Sequence, residues 1–233
     1  MARSVTYGAE PEIALPALRT PRSAAFAGIA FSILVTVSIV AIRVAIPGNQ
    51  ADVEDRLSDS TQRDLVLFGL ALMPFAGVAF LWFVGVLRDR IGAAEDRFFA
   101  TLFLGSGLLF IAMLFVAAAI AAALVTSFGD SRDVADSAAW TIGRHTGKEL
   151  LEGGMQMVGV FTIATSTILL RTTVGPRWLA VLGYAIAALL LVAVHFFVWV
   201  ALLFPIWVLV LSLEILVADF KRTRAASAPA PGE

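Results

Sequence analysis

His145, Glu149, Glu152 and Gln156 stand in the segment RHTGKELLEGGMQ, residues 144–156, spaced by four, three and four positions. On a helix turning roughly 100° per residue, that spacing gathers all four within about 60° of one face. Gly159 follows near the same face. An imidazole and two carboxylates, joined by the second histidine, His195, have the donor atoms for a divalent metal ion such as zinc. The plain alternative is a solvated helix start, where the helix dipole favours Glu149 and Glu152 and where Arg144 and Lys148 balance their charge. A haem held between His145 and His195 is a further arrangement of the two imidazoles, but one loop ligand and one membrane-interface ligand make a poor cage.

Other chemistry is excluded or thinly represented. The run GRHTGKE, residues 143–149, has three residues between its glycines and Glu after Lys, so it lacks the spacing of a phosphate-binding loop. No motif brings a Ser, a His and an acid together as a hydrolase would need. There is no cysteine, which removes disulfides, thiolate metal sites and cysteine nucleophiles together. Glu214, in LSLEILVADF, is the acidic residue set deepest in an apolar run, and such a carboxylate is either a proton relay or cation contact, or a structural acid paired with Arg171 or Arg177.

The elements that must position these groups are transmembrane helices. Of the 233 residues, 59% are hydrophobic and 15% charged, and the mean hydropathy is +0.88. A soluble domain carries about a quarter charged residues, so the composition predicts an all-α, polytopic membrane bundle. A net charge of −1 points to no nucleic acid partner.

A span needs about 20 apolar residues, and six segments fit: 24–46, 65–87, 98–127, 150–170 and two within 178–220. Pro74 falls inside the second, and the third is long enough to tilt or project. Residues 178–220 read as a tight hairpin turning between His195 and Pro205, where Phe196, Phe197, Trp199, Phe204 and Trp207 cluster as an interfacial belt would. One very long helix, giving five spans, is the alternative. Arginines and lysines at 3, 19, 22, 88, 90, 97, 171, 177, 221, 222 and 224 alternate onto one side, which predicts both termini in the cytoplasm.

The chain therefore divides into a cytoplasmic segment 1–23, a six-helix domain 24–220 and a small, Pro-rich, disordered tail 221–233. The first apolar run is too long for a cleaved signal and reads as an anchor. Small residues such as Gly69, Gly77, Gly105, Gly107 and the alanines of 117–123 allow close helix packing, within the bundle or against a second subunit.

The stretch LWFVGVLRDRIGAAEDRFFATLFLGSGLLF, with RWLAVLGY near residue 180, resembles a bacterial family of six-span membrane proteins of unassigned function over about residues 24–220. The resemblance implies the span count and a multi-pass place in a bacterial cytoplasmic membrane. The residues themselves suggest a protein that binds or translocates a small solute or cation through an outward-facing polar cavity. Two other classes fit the same features: an accessory subunit, or homo-oligomer, packing through its small residues, and a metal-dependent enzyme acting on lipid with Glu149 or Glu152 as base.

Overall fold

A computed structural model describes residues 21–45, 53–91, 97–131, 133, 136–171, 176–193 and 198–226. All regular structure among them is helical: α1 (Pro21–Ala45), α2 (Val53–Ser58), α3 (Ser60–Ile91), α4 (Arg97–Asp130), α5 (Ala138–Arg171), α6 (Arg177–Val192) and α7 (Leu203–Ala226), with a 3-10 turn, Val198–Leu202, leading into α7. Five apolar segments are long enough to cross a membrane, within α1, α3, α4, α5 and the 3-10 turn plus α7.

The sixth expected span is not among them. α6 has 16 residues, about 24 Å at 1.5 Å per residue, which falls short of a hydrocarbon core about 30 Å thick. The one-long-helix alternative fails as well, because α6 ends at Val192 and Ala193 closes it with an N–H to the Leu189 carbonyl at 2.7 Å. Pro205 sits in the first turn of α7, where a missing N–H costs nothing.

Two helices are longer than the apolar count suggests, and both extensions have local causes. α3 starts at Ser60 because Asp59 accepts the Thr61 N–H on Oδ1 at 2.9 Å, an N-cap. α5 starts at Ala138, well before the apolar run, because the Ser137 hydroxyl accepts the Trp140 N–H at 3.1 Å. Glu149 is therefore the twelfth residue of α5 and Glu152 the fifteenth. The reading of these acids as a dipole-favoured first turn is thereby corrected.

Neighbouring helices run antiparallel. Gly28 meets Phe83 and Gly69 meets the Ser38 carbonyl between α1 and α3; Gly107 meets Phe80 and Phe161 across α3, α4 and α5; Gly159 meets Leu191 between α5 and α6; Gly28 meets Ser212 between α1 and α7. The helices form the ring α7, α1, α3, α4, α5, α6, and the start of α1 and the end of α7 share one end of the bundle, here the terminal end.

Packing toward that end is aromatic. Phe204, the second residue of α7, lies 5.7 Å from Phe31, 5.9 Å from Phe80, 5.8 Å from Phe110 and 6.0 Å from Phe161, each mainly edge to face. Those four partners sit ten to thirteen residues inside their helices from the terminal end, a depth of roughly 15–20 Å. The Trp207 indole donates to the Leu179 carbonyl at 3.1 Å, next to the start of α6. The α6–α7 hairpin thus fills the terminal half of the ring, with its near end about halfway along the long helices.

Buried hydroxyls in this half are spent on their own helices. Ser32 bonds the Gly28 carbonyl, Thr162 the Val158 carbonyl and Thr165 the Phe161 carbonyl, each at 2.8 Å. This is the usual way a polar side chain is satisfied where water is absent. Ser166 and Ser212, whose hydroxyls have no such bond, instead fill the space left by Gly183 and Gly28 on the facing helices.

Candidate functional site

Beyond the hairpin, α1, α2, α3, α4 and α5 line a half-open cavity of about 500 Å³, with no described residue of α6 or α7 in its lining. Its volume lies within the roughly 300–1,000 Å³ of small-ligand sites. Ile42 and Arg43 come from the last turn of α1; Val66, Leu70 and Met73 from α3; Leu114, Ala117, Ala118, Ile120, Ala121, Leu124 and Val125 from α4. The alanines explain the space: α4 places small residues at successive turns where phenylalanines stand in the other half.

α5 contributes Trp140, Thr141, Gly143, Arg144, Gly147, Lys148 and Leu151, together with His145. Trp140, Arg144, Gly147 and Leu151 repeat at helical spacing, and they define a face centred about 140° round α5 from the stripe of His145, Glu149, Glu152 and Gln156. Gly143 and Gly147 let α5 lie close to Leu124 and Ile120 of α4, which turns that face inward.

The short helix α2 caps the cavity. Leu57 is buried in one cluster with Val66, Leu70, Val125, Phe128 and Trp140. Arg63 holds the cap in place by donating from Nη1 to the Leu57 carbonyl at 2.7 Å and the Ser58 carbonyl at 3.2 Å, where the end of α2 leaves acceptors open. Trp140 is buried against Phe128, ring centroids 5.5 Å apart, and its indole N–H has no acceptor among the described residues.

The charge of the described lining is one-sided. Among the described residues its ionisable groups are Arg43, Arg144, His145 and Lys148, with no acid. Lys148 is 3.6 Å from Glu152, with the lysine side chain 58% and the glutamate side chain 14% exposed, so the pair joins a solvated ammonium to a largely buried carboxylate. Arg43 and Arg144 are half-buried and have no ion pair or hydrogen bond among the described residues.

The expected stripe is thus divided. His145 lines the cavity; Glu149, exposed, does not; Glu152 turns to Lys148; Gln156, half-buried, lies deeper on α5 and outside the lining. His195 lies outside the described residues. Among the described residues no group of three or more His, Asp or Glu side chains is placed to hold a metal ion. Glu214 is half-exposed at the terminal end, close after Ser212, and is remote from the cavity.

Sequence reasoning passed over Trp140, Arg43 and the α2 cap. The signal for Trp140 and Arg144 was present in the spacing Trp140, Arg144, Gly147, Leu151 once α5 is extended back to its Ser137 cap. Comparison with family models, with curated proteins and with solved structures finds no match.

Proposed function

We propose that this chain is a non-enzymatic, multi-pass membrane protein that binds a small apolar or amphiphilic solute in the cavity walled by α1 to α5. The observation that carries the reading is the lining itself: a largely apolar chamber of small-ligand size whose ionisable groups among the described residues are all basic. A cation would meet repulsion from Arg43 and Arg144, which act at short range in a medium far less polar than water. The cation alternative and a metal-dependent lipid enzyme therefore lose ground to a neutral or anionic solute.

The aromatic cluster around Phe204 favours binding over conduction, since it fills the bundle between the cavity and the terminal end. The basic flanks Arg88, Arg171, Arg177 and Lys221 gather at the terminal end, which supports a cytoplasmic location for both termini by the positive-inside rule. The cavity then opens toward the extracytoplasmic half of a bacterial cytoplasmic membrane.

An uncharged photoactivatable hydrocarbon, applied to the full chain in bilayers and mapped by peptide sequencing, tests the reading. Labelling is expected at buried lining residues such as Leu114 and Val125, and Ala121→Phe should suppress it there while labelling persists at exposed Phe75 and Trp82. Labelling confined to exposed positions in the unaltered chain would overturn it.

A further inference from the structure

The ring of helices is complete only where the α6–α7 hairpin stands. In the terminal half, α5 packs on α6 and α1 packs on α7, so the hairpin closes the interval between α1 and α5. The lining begins seventeen or more residues from the terminal end, at Leu114, Met73, Leu151 and Ile42, about 25 Å along the helices. That is past the level of Phe204. With α2 across the end of the chamber, no described residue of α6 or α7 closes the side between α1 and α5, and a ligand from the bilayer would approach there.

We infer that the cavity takes an anionic lipid from the surrounding membrane, its acyl chain against the alanine-rich face of α4 and its headgroup phosphate between Arg43 and Arg144. The inference rests on the reading of the cavity as a binding site and adds the occupant. The charge pattern selects it: two half-buried guanidinium groups without counterions among the described residues border an apolar chamber, one from α1 and one from α5. Guanidinium matches phosphate geometry with paired N–H donors and loses less on desolvation than an ammonium. A zwitterionic lipid brings its own cation into the same space and forfeits that gain.

Leu114→Trp makes the occupant visible, because position 114 is buried in the wall beside the alanines and bromine on an acyl chain quenches indole emission only at contact. The full chain carrying Leu114→Trp is reconstituted in phosphatidylcholine bilayers that contain either brominated phosphatidylglycerol or brominated phosphatidylcholine, and the signal of the added indole is taken as the difference from the unaltered chain. Half-quenching by the anionic lipid is expected at a mole fraction lower by about fivefold for each arginine engaged. Arg43→Gln with Arg144→Gln in that background should bring the two lipids together, while Arg43→Lys with Arg144→Lys keeps part of the preference. Equal quenching by both lipids with both arginines in place overturns the anionic occupant and leaves an apolar site standing. Absence of quenching of the added indole by either lipid overturns both.

Discussion

The two halves of this bundle use the same helices and differ in what fills them. Toward the terminal end, Phe31, Phe80, Phe110, Phe161 and Phe204 interlock at centroid distances of 4.8 to 6.0 Å. At the other end, α4 supplies Ala117, Ala118 and Ala121 to a chamber, and α6 and α7 supply nothing. In a membrane, where lipid tails are as apolar as leucine, close van der Waals contact rather than exclusion from water holds helices together. The aromatic half therefore makes the close contacts that hold the helices together, and the alanine half leaves space between them.

That contrast can be broken from either side. Phe204→Ala should have the largest effect, because it removes the ring at the centre of the cluster and leaves a void that four neighbours cannot fill. A loss of about 3–5 kcal/mol is expected, read as a fall in the denaturant midpoint of the detergent-solubilised chain. A loss under about 1 kcal/mol would mean that the cluster is not tightly packed.

Ala121→Phe, the converse change in the other half, should move stability by no more than about 1 kcal/mol, since the added ring enters existing space. Insertion into a filled core costs about 1–3 kcal/mol, and a cost of that size would show that the chamber is not open in solution.

Much of the architecture was legible in the sequence. Of the six expected spans, four fall on α1, α3, α4 and α5 and the last on α7, which starts at Leu203 between the expected turn limits His195 and Pro205, while the fifth, α6, is too short to cross. What escaped was depth. Phe204 and Trp207 read as an interfacial belt, yet both rings are buried, with Phe204 at the centre of the bundle. Hydropathy ranks a segment as apolar without recording how far along its neighbours it begins. The stripe of His145, Glu149, Glu152 and Gln156 was correctly placed on one helix, but the apolar span was counted only from 150 and the helix from Arg144, whereas α5 starts at Ala138. Polar residues such as Thr141, Arg144 and Lys148 interrupt the apolar pattern there, while the Ser137 cap continues the helix through them. Extending α5 back to its cap shifts attention by one residue round the helix, from His145 to Arg144.

A hairpin of α6 and α7 that ends within the membrane leaves the chamber above it, and its depth can be measured directly. The chain has no cysteine, so a nitroxide attached through Trp199→Cys reports from one position, beside references at Ser131→Cys and Lys221→Cys on the two ends. Trp199 is 63% exposed on the bundle surface, so the label faces lipid without disturbing the core. Collision rates with oxygen and with a water-soluble nickel complex should place it in the hydrocarbon, between the two references. A label at position 199 as accessible to the nickel complex as the one at 131 would mean that the hairpin crosses completely, and would contradict the account.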